Sequence, residues 1–421
     1  MQNHLQRIAD YIRFHRIALV LGVPVGLYYF RFIKRPDGMI QFPKAASCFL
    51  LGKPITFCAG SFTYPPPFAF LMIPFIFLPM WLRNVVWYIL SISSLYFGFR
   101  ISEGLIMKTF QIQFEKNQLY QFRFLSVLSS LKFIFAVLEN QAYDCLIFFL
   151  LVLGIYGLVE KRDFLSSSSI ALAAAMKATP LLFIPYLIFR KKWKIFSLCI
   201  VFYLSFSFLP DLFFSAQAQP TYFGKWFEDN VESSLFGLGN ASSLHFWEGE
   251  NQLNQSLRSF IFRLTARGET ATHYHETLFA TYALFVLAIT YMLLEFSKVE
   301  LPYVLDGSVL LIGMLMLSPM SSKSHFVVLL LPYMVILGYL LGSDRFSLKT
   351  PIGVALITSF ALNSLTSRGI IGARLSTVLL MKGCITLGTL LIFAMLGLMA
   401  VEFRRDKVGI LFKGGSVTEK N

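Results

Sequence analysis

Residues 165–194 read Leu165-Ser-Ser-Ser-Ser-Ile-Ala-Leu-Ala-Ala-Ala-Met-Lys177-Ala-Thr-Pro180-Leu-Leu-Phe-Ile-Pro-Tyr-Leu-Ile-Phe189, then Arg190-Lys-Lys-Trp-Lys194. The run is apolar over a membrane-spanning length, yet a lysine and a proline interrupt its middle. A proline removes a helix hydrogen bond, and broken helices are tolerated in a membrane where they line a cavity. Lys161-Arg162 before the run and Arg190–Lys194 after it both carry the mark of a cytoplasmic face. If both are inside, Leu165–Phe189 goes out and back as two short helices, with Lys177–Pro180 at the outer turn. The alternative puts Lys161-Arg162 outside.

The same apolar character fills the chain. Of 421 residues, 56% are hydrophobic, 16% aromatic and 14% charged. Such a chain reads as an all-α integral membrane protein, a polytopic helical bundle of about 12 transmembrane helices in one domain. The net charge of +14 does not imply nucleic acid. The basic residues cluster in short loops between spans, where they set topology and meet anionic membrane lipids. Five cysteines do not make a disulfide scaffold. Cys48 and Cys58 share one outer loop and either pair or serve as small apolar residues.

Met1–Arg16 is basic and reads as cytoplasmic. Ile17–Phe32 crosses outward and, lacking a small-residue cleavage site, reads as a retained span. The outer loop 34–66 holds Asp37 beside Gly38, an amphipathic run Lys44–Leu51 suited to an interfacial helix, and the stiff Tyr64-Pro65-Pro66-Pro67. Phe68–Leu82 returns, Arg83 marks the inner face, and Asn84–Phe99 goes out. Gly104–Phe124 is polar and mixed in charge. Leu125–Leu138 is short and reads as a partial helix dipping in from outside. Tyr143–Val159 is a clear span. Ile195–Phe214 leads to a large outer loop, 215–275, with further interfacial helices. Five spans fill 276–401: Thr277–Phe296, Tyr303–Leu317, Phe326–Leu341, Ile352–Leu365 and Thr377–Val401. The loops at Ser297-Lys298, Asp344–Lys349 and Arg404–Lys407 read as inside; Ser318–His325 and Ser367–Arg374 read as outside. A cytoplasmic tail, 402–421, follows.

With this topology one face collects Asp37, the Asn140-Gln141-Ala-Tyr-Asp144 turn, Lys177, the large loop and Ser318–His325. Asp37 reads either as a solvated loop acid or as a reaction-site acid fixed at the membrane surface. Lys177 either pairs with an anion or snorkels to the interface. His325 opens a span, as an interfacial histidine or as a site residue. Tyr222, Phe223, Trp226, Phe246 and Trp247 suit sugar stacking or an aromatic belt equally. Metal-ligand spacing, a Gly-rich phosphate loop and a nucleophile elbow are all missing, so neither metal nor organic cofactor is expected; His273-Tyr-His275 is too short and isolated for a metal site.

Several stretches, in order from about residue 36 to 340, together resemble a known family. They are Asp37 followed by Ala45-Ala46 and Gly52; Tyr64-Pro65-Pro66; Asn140-Gln141; and Lys177-Ala-Thr-Pro180-Leu-Leu-Phe running into Arg190–Lys194. Asn254-Gln255-Ser256-Leu257-Arg258 with Arg263 follows, and then Ser318-Pro319-Met-Ser321 with His325. The set is similar to glycosyltransferase family 87, polytopic enzymes of the GT-C fold that use polyprenyl-phosphate sugars. Residues 1–214 correspond to the GT-C-like module. The departures are Gln41-Phe42 for the family's aromatic, Asn140 for its glycine, and Ser322-Lys323-Ser324 for its Trp-acid-His cluster.

The resemblance implies an inverting transfer of one sugar, mannose by preference, from a polyprenyl-phosphate donor to a lipid-linked or envelope glycan acceptor. The reaction would occur on the outer, periplasmic side of the plasma membrane. Asp37 would be the general base. Lys177, His325, Arg258 and Arg263 would hold donor phosphate or sugar. Tyr64, Gln141, Asp144, Asn254 and Gln255 would contact the acceptor or support the site. Two rivals stand beside this reading: a flippase for lipid-linked sugars, which should show repeated broken helices, and a ligase or polymerase of lipid-linked glycans.

Overall fold

The computed structural model describes residues 26–34, 36–60, 62–215, 221–232, 249–265, 273–342, 350–364 and 366–405. Every regular element among them is helical. Residues 17–25 of the expected first span, Phe246, Trp247, the loop 344–349 and the tail from 406 onward lie outside them. Among the described residues six helices are long and apolar enough to cross a membrane, or seven if one bent pair is a single span. The chain is an integral membrane protein.

Helix α1 (Asp37–Leu50) begins well before the amphipathic run expected at Lys44. A disulfide, Cys48–Cys58, ties it to the short helix Ile55–Cys58. Next, the structure corrects the expected spans. Phe68–Leu82 is not one helix: Pro66–Leu71 and Ile73–Ile76 are short pieces. Pro79 then stands before a single 31-residue helix, α2 (Met80–Phe110). Arg83 lies inside α2 rather than in an inner loop. Its guanidinium bonds the carbonyls of Leu78 (2.7 Å) and Ile76 (2.9 Å), closing the turn that precedes the helix.

The polar, mixed-charge stretch 104–124 is mostly helical. It joins α2 to α3 (Lys116–Glu139), whose start carries a reciprocal Glu115–Gln118 cap. Glu103 on α2 accepts from Arg100 and from both forks of Arg123 on α3, at 2.7–2.8 Å. These charges stitch two helices together instead of ending one. Leu125–Leu138 is therefore the second half of a helix long enough to span, not a partial dip.

Helix α4 (Asp144–Val159) runs beside α5 (Asp163–Met176). A Cβ at Gly157 would meet the Ser166 backbone at 2.7 Å, so this close approach requires glycine. Lys177 leaves the helix in extended conformation. A 3-10 turn, Thr179–Leu182, and α6 (Phe183–Phe189) complete the broken segment. At the far end Lys194 reaches Asp163 (2.8 Å) and Lys108 reaches Glu160 (2.7 Å). Hence Lys161-Arg162 and Arg190–Lys194 share one end of the bundle, and α5–α6 is an out-and-back hairpin. Arg190 locks that end by a forked pair with Asp306 (2.6 and 2.8 Å), which Tyr186 also bonds (2.9 Å).

Helix α7 (Trp193–Phe213) returns toward the other end, where Asp211 accepts the Tyr222 amide (2.6 Å). The expected large loop contains Tyr222–Trp226, a wider turn over Phe227–Glu232, and α8 (Leu257–Thr265). Then come α9 (Tyr274–Phe296), α10 (Tyr303–Leu317) and a 3-10 turn, Lys323–Leu329, that leads into α11 (Leu330–Gly342). α10 and α11 are buried along nearly their whole length and form the centre of the bundle. α12 (Pro351–Ser364) meets α13 (Arg368–Met381) at 87°. α14 (Cys384–Arg405) closes the fold. Two expectations shift here: Ser367–Arg374 is largely helix, not loop, and the last span starts at Cys384 rather than Thr377. The reason is Gly383, whose φ of 72° turns the chain between α13 and α14.

Candidate active site

A cavity of about 840 Å³ opens at the end of the bundle opposite Arg190 and Lys194. Asp37 is on its wall, exposed, as the first residue of α1. Among the described residues no hydrogen bond or ion pair engages its carboxylate. Its placement depends on a fully buried side chain. Gln141 Oε1 accepts the Met39 amide (2.8 Å), while its Nε2 donates to the Phe32 carbonyl (3.2 Å) and to Asn84 Oδ1 (2.9 Å). Trp87 Nε1 donates to the Gln141 carbonyl (2.9 Å). Gly38 lets α1 sit this close, since a Cβ there would lie 2.7 Å from that of Gln141. Gln141 itself holds a positive φ of 50°. Asn140 beside it faces the cavity.

Lys177, His325 and Arg258 line the same cavity. Lys177 reaches the wall from the break between α5 and α6, with its Nζ 2.6 Å from Asp144 Oδ1. Asp144 lies behind the wall and almost wholly buried, so the lysine's charge is already balanced. His325 comes from the 3-10 turn before α11, and its Nδ1 accepts the Ser322 amide (3.3 Å). Arg258, at the start of α8, is half-buried and has no carboxylate partner among the described residues.

The remaining site candidates separate into wall and scaffold. Tyr64 lines the cavity and packs edge-on against Tyr143 (4.9 Å). Burial, and then the charge of Asp144, pushes its phenol above the usual range, so it stays protonated. Arg263 is not on the wall. Its Nη1 bonds the carbonyls of Gly249, Asn251 and Asn254 (3.4, 3.3 and 2.9 Å) and Ser259 Oγ (2.5 Å). Burial lowers its pKa to about 10. Asn254 donates to the Pro319 carbonyl (3.0 Å) and accepts the Ser321 amide (3.1 Å). Gln255 donates to the Leu380 carbonyl (2.9 Å). Asn254, with the Gln255 backbone amide donating to the Ser321 carbonyl (2.7 Å), staples the start of α8 to the loop that delivers His325, while the Gln255 side chain ties it to α13.

Of the aromatic residues considered for sugar stacking, Trp226 reaches the cavity and bonds the Thr63 carbonyl (2.9 Å). Tyr222 packs on Phe49 and Phe223 on Phe208. Sequence reasoning missed Asn84, Trp87 and Asn230, and gave no role to His275 and Tyr282, which also line the wall. An acid and basic groups lining one cavity are an arrangement for deprotonating a hydroxyl and receiving a departing anion.

No curated protein matches the chain. Among solved structures it is similar to ArnT from Cupriavidus metallidurans in the apo state. The identity is 13%, with 93% of this chain and 78% of that chain covered, at a TM-score of 0.42. It is also similar to the same ArnT bound to undecaprenyl phosphate, at 14% identity, 92% and 78% coverage and a TM-score of 0.39. The model of glycosyltransferase family 87 matches residues 62–319. That match takes in Tyr64, Asn140, Lys177 and Arg258 of the wall and more than half of the sequence, and the chain belongs to glycosyltransferase family 87.

Proposed function

We propose that this membrane glycosyltransferase moves one hexose, mannose by preference, from a polyprenyl-phosphate carrier to a lipid-linked or envelope glycan acceptor, with inversion. The observation that carries the proposal is that Asp37, unpaired among the described residues, lines one cavity with Arg258, Lys177 and His325. In this reading the acceptor oxygen attacks the anomeric carbon while Asp37 takes its proton. The carbon–oxygen bond to phosphate breaks, and the electron pair leaves on the phosphate. Arg258 meets that charge first, because Lys177 is already matched by Asp144. His325 and Lys177 complete the anion side. Tyr64, Trp226 and Asn140 border the space left for the sugar.

The chain would make about 12 crossings, with the cavity facing the outer, periplasmic side of the plasma membrane. Two observations support that orientation. The Cys48–Cys58 bridge lies in the segment that forms the cavity wall, and disulfides persist in oxidising compartments. The basic cluster Arg190–Lys194 lies at the opposite end, as cytoplasmic loops require.

Purified full-length protein should transfer mannose from polyprenyl-phosphate-mannose to one member of a panel of lipid acceptors. It should give no product with nucleotide-mannose. Transfer from a nucleotide sugar, or from a diphosphate-linked oligosaccharide alone, would overturn the donor assignment.

A further inference from the structure

Three basic side chains carried within the bundle are matched by acids: Lys177 by Asp144 (2.6 Å), Arg190 by Asp306 (2.6 Å) and Arg123 by Glu103 (2.7 Å). The flank between α3 and α12 departs from this pattern. Lys132 stands midway along α3, in a span, and its Nζ bonds the Asn363 carbonyl (2.5 Å). No carboxylate among the described residues engages it. The Phe133 ring stacks on Phe326 at 5.6 Å, which brings Lys323, the first residue of the neighbouring 3-10 turn, to the same flank. The Asn363 carbonyl also accepts from Thr366 (2.8 Å), and Arg368 follows as the first residue of α13.

Lys132 and Lys323 lie within each other's electrostatic reach, as do Lys323 and Arg368. The acid that reaches Lys323 is Glu139, which Arg31 already bonds (3.1 Å). Like charges gathered in a low dielectric are costly until an anion joins them. None of the three lines the catalytic cavity. Their surroundings are greasy: Ile370, Leu375 and Val378 on α13 are all exposed apolar side chains.

We propose that Lys132, Lys323 and Arg368 form an anion site, separate from the catalytic cavity, that holds the phosphate group of a lipid on the bilayer-facing flank. The apolar border takes the tail, and the three cations take the headgroup. The phosphate belongs either to a second polyprenyl phosphate or to an anionic phospholipid.

Native mass spectrometry of full-length protein in detergent separates the two, with undecaprenyl phosphate and phosphatidylglycerol titrated in parallel. Wild-type protein should hold one lipid phosphate beyond any occupant of the catalytic cavity. Lys132→Gln with Lys323→Gln should weaken that additional binding by about a hundred-fold or more, each lost charge-assisted contact contributing roughly ten-fold or more. Lys132→Arg with Lys323→Arg should keep it. Loss confined to undecaprenyl phosphate assigns the site to the carrier; loss confined to phosphatidylglycerol assigns it to bulk lipid. Arg368→Gln, an exposed substitution, gives the same reading if the double variant does not fold. Unchanged stoichiometry and affinity for both lipids in folded variants would overturn the site.

Discussion

Lys177 Nζ and Asp144 Oδ1 meet at 2.6 Å, joining the end of α5 to the start of α4 just behind the cavity wall. Removing either partner leaves the other charge buried, which costs about 3–5 kcal/mol. Asp144→Asn and Lys177→Ala should therefore both lower the unfolding temperature by similar amounts. Lys177→Met with Asp144→Leu should recover most of that stability yet remain weak in donor binding. Thermal unfolding alongside donor titration checks this. Full donor affinity in the stable double variant would remove Lys177 from the anion side of the site.

Asp37 is different because it is exposed and, among the described residues, unpaired. Asp37→Asn should leave the unfolding temperature and donor binding unchanged. Turnover should fall about 10²–10⁴-fold, the usual cost of losing a general base. Near-normal turnover would end the single-base mechanism.

Gln141 never touches the cavity, yet its amide holds the Met39 N–H two residues after Asp37. Gln141→Leu strands that amide together with the Phe32 carbonyl and Asn84. Each buried polar group left unmet costs about 1–3 kcal/mol. In protein that still folds, kcat should drop while the donor KM stays near its original value. An equal rise in KM, with kcat intact, would show that Gln141 supports donor binding instead.

The bridge between Cys48 and Cys58 leaves Cys145, Cys199 and Cys384 as free, buried thiols. Denatured, unreduced protein should take up three alkyl groups, rising to five after reduction. Mass spectrometry reads this directly. Five groups without reduction would remove the main support for an outward-facing cavity.

How far the chain could be read from its letters depended on where each partner lay. The break at Lys177–Pro180 was legible because the lysine and the proline sit side by side in an apolar run. Its pairing with Asp144 was not, since the two are 33 residues apart. Arg83 looked like a boundary because its targets are backbone carbonyls, which sequence does not display. Arg123 fell in a stretch that read as polar and mixed in charge for a related reason: charges that satisfy one another across two helices resemble charges that need water. Arg263 resembled Arg258 on paper. Only the folded chain shows its Nη1 turned to three backbone carbonyls while Arg258 reaches the cavity.

The helices nearest the cavity are short. α4, α5 and α10 have 16, 14 and 15 residues. At ~1.5 Å per residue they reach roughly 21–24 Å, against a hydrocarbon core about 30 Å thick. Neighbouring helices enclose α4 and α10, so lipid does not meet this shortfall. The cavity meets it, opening where these helices end. In the proposed reaction, a carrier's headgroup would then find water at the depth of Lys177 rather than only at the bilayer surface.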